Sequence, residues 1–175
     1  MKKFPTSLDR TSVIVTWSIV GLAVVLSFIS FFAFNNSANQ IARLLSIVLG
    51  PVLIVAIFIA MFYLKPISIV VNEEGIIIDR KIKPVFVNFS DIRTIRIVTE
   101  DEMGFPFRTF GDGGIFGYIG LYYNKKLGSM MWYCTKRENY VLIEKTNGKK
   151  IIITPDDPGA LLNELKLLKP SIVQL

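Results

Sequence analysis

NYVLIEKTNGKKIIITPDDPGALLNELKLLKP, residues 139–170, is the stretch that decides the fold. NYVLIEKT and KKIIITP are short β-rich runs flanking Asn147 and Gly148, a turn pair whose glycine takes a positive φ without penalty, so the two runs close a hairpin. In TPDDPGALLNELKLLKP the pattern becomes helical. Asp156 or Asp157 caps the helix and Pro158 fits its first turn. Leu161, Leu165 and Leu168 recur at i, i+4 and i+7, and Pro170 stops it. A helix with one apolar face, arriving after a series of strands, must lie against a sheet or plug the end of a sandwich or barrel.

Toward the N-terminus the same strand signals continue. ISIVVNEEGIIIDR gives two β-branched runs around Asn72, Glu73, Glu74 and Gly75, again a hairpin. KPVFVNFSDIRTIRIV sets Val85, Val87 and Phe89 in alternation, breaks at Ser90 and Asp91, then alternates Ile95 and Ile97. With the runs around Tyr122 and Cys134, about seven short strands are expected before the helix.

Between these strands lies GDGGIFGYIG, which has neither the dinucleotide G-x-G-x-x-G spacing nor a P-loop, because Phe116 stands where a glycine is needed and no Lys-Ser/Thr follows. Glycines 111, 113, 114, 117 and 120 are expected to allow a tight turn, a bulge and close backbone approach. Phe105, Phe107, Phe110, Phe116 and Tyr118 either fill the core and pack this loop, the commoner fate of such side chains, or form an exposed contact patch.

Thr99–Gly114 is the longest irregular region expected in the domain, and loops carry recognition more often than packed strands do. It combines Met103, Phe105, Phe107 and Arg108 with the acids Glu100, Asp101 and Glu102. An apolar anchor beside an Arg with a charged rim suits a protein contact, so these first four residues are the candidate surface for a protein partner of unknown identity. Three consecutive carboxylates on an extended segment cannot converge on one cation, so a solvated loop is expected there.

Upstream of all this, Ser12–Leu64 holds two long apolar segments separated by NNSANQIAR. No charged side chain occurs from Ser12 to Phe34, a stretch that would reach about 34 Å as a helix. Leu44–Leu64 is equally uncharged. A transmembrane helical hairpin over 12–64 is therefore expected, with a bend or late start at Gly50 and Pro51. A cleaved signal peptide is the rival, but the apolar part is too long and no small-residue cleavage site follows. Lys2, Lys3 and Arg10 precede the first span, Arg43 alone lies in the link, and Lys65, Arg80, Lys81 and Lys83 follow the second. That bias places both termini in the cytoplasm, with 1–11 as a lead-in and 65–175 as a cytoplasmic domain. Arg80, Lys81 and Lys83 are candidate membrane-surface contacts for acidic headgroups. Ser18, Gly21, Ser27 and Ser30 offer small residues for helix contacts in a homo-oligomer.

Composition excludes several functions. The 175 residues are 51% hydrophobic and the mean hydropathy is +0.48, with the excess before Lys65. Net charge is +6, but from Lys65 onward 16 Lys and Arg face 13 Asp and Glu, too balanced for a nucleic-acid surface. The chain has no His, which removes the common metal sites and His-dependent triads. Cys134, its single cysteine, is expected to be an inert buried thiol. No cofactor motif and no acid–base pair emerges, so a non-catalytic protein is expected.

FRTFGDGGIFGYIGLYYNKKLGSMMWYCTKRENYVLIEKTNGKKIIITPDDP resembles the bacterial pleckstrin-homology-like membrane proteins. The matching residues are Arg108, Phe110, Gly111, Gly113, Gly117, Gly120, Tyr122, Thr135, Gly148, Lys149, Thr154 and Pro155. The resemblance covers Pro66 to about Leu168. It implies a mainly β sandwich or barrel closed by a C-terminal amphipathic helix and preceded by two membrane helices. One departure stands out: the first strand turn is Asn72-Glu73-Glu74-Gly75, which repels phosphate where phosphoinositide-binding relatives carry Lys and Arg. The expectation is a membrane-tethered binding or scaffold module engaging a protein partner at the bilayer. The alternatives are an accessory or regulatory subunit acting through its hairpin, or contact with acidic lipid headgroups.

Overall fold

A computed structural model of the chain describes residues 1–35 and 40–174. The first element is one the sequence patterns did not announce: Lys2–Pro5 forms strand β1, which buries Phe4. Two apolar helices follow, α1 (Arg10–Asn35) and α2 (Gln40–Leu64). Among the described residues Arg10–Ala33 is long and apolar enough to cross a membrane, and the apolar run Val48–Leu64 within α2 is shorter. α2 continues through Pro51, so the late start expected there is absent. Of the link expected over NNSANQIAR, residues 36–39 lie outside the described residues and 40–43 begin α2.

Three strands then build a sheet: β2 (Pro66–Val71), β3 (Gly75–Arg80) and β4 (Val85–Asn88). The order is β1-β2-β3-β4, all antiparallel, so β1 covers what would otherwise be the free edge of β2. β2 and β3 form the expected hairpin, and the Asn72 side chain closes its turn as an Asx turn by accepting from the Glu74 and Gly75 amides (3.1 and 2.8 Å). A single 3₁₀ turn, Phe89–Asp91, carries the chain into the next sheet at the Ser90–Asp91 break.

The second sheet holds β5 (Ile92–Ile97), β6 (Phe107–Gly111), β7 (Tyr118–Asn124), β8 (Gly128–Cys134), β9 (Val141–Lys145) and β10 (Lys150–Ile153), in the order β5-β9-β10-β8-β7-β6. β10 runs parallel to β8; the other pairs are antiparallel. Thr99–Gly114, expected from sequence to be irregular, holds two regular elements joined by short irregular links. Thr99 caps one helical turn, α3 (Glu100–Met103), by accepting from the Glu102 amide (3.2 Å), and β6 follows. Glu100, Asp101 and Glu102 thus sit on a helical turn and diverge. Glu102 pairs with Arg96 (2.5 Å) and Asp101 with Lys126 (3.2 Å).

Successive strand residues point to opposite faces, and in β9 and β10, at the middle of the second sheet, both faces are buried. Val141, Ile143, Ile151 and Ile153 face the first sheet and the closing helix α4 (Pro158–Leu168). Leu142 and Ile152 face a second core built around Met103, Tyr122, Met130 and Trp132. That is why VLI and III run without alternation. Asp157, not Asp156, caps α4 by accepting from the Ala160 amide (2.9 Å), with Pro158 in the first turn. Its buried face is Leu161, Leu162 and Leu165, whereas Leu168 is exposed, one turn short of the expected stripe.

Candidate functional site

Asp9 ties the helices to the β domain. Its carboxylate accepts from the Ser12 amide (2.6 Å), capping α1, and from the Tyr118 hydroxyl (3.1 Å) and the Arg137 amide (3.2 Å). Its own amide donates to the Thr135 carbonyl (3.2 Å). Burial and the adjacent Asp9 carboxylate push the Tyr118 hydroxyl up to about 12, so it remains a donor at neutral pH. Asp156, freed from capping duty, accepts from Ser7 Oγ (2.6 Å) and Lys136 Nζ (2.8 Å), a second tie between the N-terminal segment and the domain.

The Gly-rich segment completes the junction. Ser12 Oγ donates to the Gly114 carbonyl (2.9 Å), and the Phe116 amide donates to Thr16 Oγ1 (3.1 Å). The Phe116 ring meets Phe58 and Phe62 of α2 edge-on at 6.1 and 5.6 Å. Phe116 holds a positive φ of 58°, costing about 1 kcal/mol, which these contacts offset. Gly114, at φ 143°, leaves only 3.1 Å between an added Cβ and Val15 Cγ1, so a larger residue would push α1 away. Asp9→Ala is expected to cost about 1–2 kcal/mol and to expose 112–116 to protease, with Asp9→Asn retaining most of the cap. Limited proteolysis and urea unfolding of the full chain in micelles check this, and parent-like behaviour of Asp9→Ala would contradict it.

The candidate contact residues separate. Met103 is 1% exposed and belongs to the second core, so it offers no surface. Phe105 is 92% exposed and stands at the mouth of a cavity that Arg108 also lines. Phe107 (68% exposed) pairs across strands with Tyr123, and Arg108 with buried Tyr122, so Phe107 and Arg108 occupy opposite faces. On Phe107's face, Phe110 (75% exposed) pairs with Leu121, giving an aromatic stripe of Phe107, Phe110, Leu121 and Tyr123 at the sheet edge. Of the five aromatics for which core packing was favoured, Phe105, Phe107 and Phe110 are at the surface, Phe116 packs on α2 and Tyr118 is buried.

A family model described as a bacterial PH domain matches residues 67–168. The chain belongs to the bacterial PH domain family. No match is found among curated proteins or among solved structures. The matched segment starts within β2 and ends with α4, so the PH domain of this chain borrows β1 and its Asp9 tie from outside the family segment.

Bacterial PH domains are as a rule binding modules, not catalysts. Cys134 is wholly buried and desolvation holds its thiol well above the ordinary range, the opposite of what a nucleophile needs. Among the described residues no cluster of His, Cys, Asp and Glu is arranged to hold a metal ion.

Two cationic side chains, Lys65 and the candidate membrane-surface residue Lys81, lie against the end of α2. Arg80 does not project freely: its guanidinium donates to the Lys83 carbonyl (2.6 Å) and lies 5.3 Å from the Tyr133 ring, pinning the β3–β4 turn. Lys81 Nζ lies 3.8 Å from the Phe62 ring centroid and Lys65 Nζ 4.9 Å, while the Ile82 amide donates to the Tyr63 carbonyl (3.4 Å). Ile82, between the two lysines, is 54% exposed. Arg10, Lys65, Lys81 and Lys83 make no ion pair among the described residues. Asp9 as the α1 cap escaped sequence reasoning, although an Asp just before an apolar helical run is an N-cap signature.

Proposed function

We propose that the protein is a membrane-tethered, non-catalytic binding module in which the hairpin 12–64 crosses the bilayer with both termini cytoplasmic and the PH domain meets a protein partner at the membrane surface. The observation that carries this reading is the clamp of the Gly-rich loop onto Ser12 and Thr16, which ties the domain to the first turns of an apolar helix instead of leaving it on a free linker. A clamped domain keeps one face in one orientation to the bilayer. The partner surface in this reading is the stripe of Phe107, Phe110, Leu121 and Tyr123, an apolar patch on an edge hairpin with Arg108 behind it.

A second reading, contact with acidic headgroups, is favoured by the exposed Lys81-Ile82-Lys83 turn against the end of α2, where each lysine contributes on the order of 1 kcal/mol at an anionic surface. The two are compatible. The tether is tested by topology: C-terminal reporter fusions should be active in the cytoplasm, and a cysteine introduced in the 36–39 link of a Cys134→Ser protein should react from outside intact cells. The reverse labelling rejects the topology. The partner surface is tested by a photo-crosslinker at Phe107 in native membranes, which should give discrete adducts that the same group at Glu73 does not; identical patterns at both positions would reject the stripe.

A further inference from the structure

Arg108 and Arg137 line one cavity of about 510 Å³, together with Trp132, Tyr122, Tyr140 and Gly113. The cavity lies on the second-core face of the sheet, away from the aromatic stripe and from the acidic Asn72–Glu74 turn. Neither guanidinium has an ion pair or a side-chain hydrogen bond among the described residues; Arg137 rests on the Tyr118 ring at 4.6 Å, which leaves its N–H fork open. Tyr140, 5% exposed, has no hydrogen-bond partner for its hydroxyl among the described residues, and the buried Trp132 Nε1 is also without one. Donors therefore predominate in this cavity. Two carboxylates oppose them: Glu100 in the lining, and Asp112 next to Gly113, whose Oδ1 accepts from the Ile115 amide (3.1 Å) while its buried Oδ2 has no hydrogen-bond partner among the described residues.

The glycine at 113 makes room for one of the forks. A Cβ built there would overlap Arg108 Nη1, so the guanidinium rests directly on the bare backbone. Gly113 has no positive φ, which means alanine would change the space and not the chain path. The cavity also adjoins the clamp. Gly113 precedes Gly114, which is bonded to Ser12, and the Arg137 amide is bonded to Asp9.

We infer that this cavity is an oxyanion site, in which Arg108 and Arg137 grip a phosphate or carboxylate group from two sides and the Tyr140 hydroxyl adds a donor. Guanidinium forks match such groups bidentately, and two unpaired forks in one cavity with aromatic walls have few other uses. Its place beside the start of α1 allows two sources for the same chemistry, a lipid headgroup or a soluble anion. The inference does not depend on a protein partner for the stripe.

The test uses the full chain with Trp17→Phe, which leaves Trp132 as the only tryptophan. Its emission is followed while inorganic phosphate is titrated in nonionic micelles at constant ionic strength. A parallel arm compares nanodiscs of phosphatidylcholine with and without phosphatidylglycerol. A saturable change is expected in at least one arm. Arg108→Gln and Arg137→Gln should each shift its midpoint about tenfold or more, and the double variant should abolish it. Gly113→Ala, which alters no charge, should weaken it as well, with far-UV circular dichroism unchanged in every variant. Response to phosphate identifies a soluble anion; response to phosphatidylglycerol alone identifies a headgroup. No saturable change in either arm, or one that the double variant retains, overturns the site.

Discussion

Gly120→Val is expected to destabilise the β domain by at least about 3 kcal/mol and to release the Gly-rich loop from α1. Gly111 and Gly120 stand opposite each other in β6 and β7, at φ 110° and 143°. A Cβ at Gly120 would run into the Phe110 carbonyl oxygen and the Gly111 Cα, which are backbone atoms that cannot swing aside. The penalty thus has two parts, a left-handed conformation that a β-branched residue does not tolerate and a collision that only separation of the strands relieves. Gly128→Ala is the matched control. Its φ is 75° but an added Cβ meets nothing within 4 Å, so only the conformational cost of about 1 kcal/mol remains. Urea unfolding of both variants in micelles should show the large difference; equal midpoints would contradict the close approach of β6 and β7.

Trp132→Ala should cost about 3–5 kcal/mol, because the side chain is fully buried and its removal leaves a cavity at the centre of the second core. The indole stacks on Tyr122 at 4.3 Å and meets Tyr140 at 5.5 Å. Trp132→Phe should cost much less than half of that. It keeps most of the aromatic contact and removes the buried Nε1 donor that has no partner, so part of the lost packing is offset. Circular dichroism of the β signal in urea measures both. A phenylalanine variant as damaged as the alanine one would mean that the Nε1 group has a partner in solution.

The closing hairpin and helix were plain in the sequence because Asn147-Gly148 and Asp157-Pro158 are local signals that need no knowledge of the rest of the chain. β1 was hidden because KKFP is too short to show a period; it becomes a strand only when β2, more than sixty residues away, offers an edge. The second core was hidden for a related reason. VLI and III announce burial on both faces, but not what covers the second one, and here it is a sheet extension carrying Trp132 and one turn of helix. Within the candidate site, strand alternation separated neighbours in sequence: Phe107 and Arg108 face opposite ways, and Met103 turns inward from a helical turn that looked like loop. Asp9 mattered more than its charge suggested, since besides capping α1 it bonds to Tyr118, Thr135 and Arg137, far along the chain.

The position of Ile82 tests most directly whether the PH domain is held against the bilayer. A nitroxide on Ile82→Cys, in the Cys134→Ser protein reconstituted into nanodiscs, reports depth through its relative accessibility to oxygen and to a water-soluble nickel chelate. A second label on Asn147→Cys, in the β9–β10 turn, is the reference. The expected result is a label at 82 shielded from the chelate and open to oxygen, as at the headgroup boundary, with the label at 147 fully water-accessible. Equal chelate accessibility at the two positions would contradict the clamped, membrane-apposed domain.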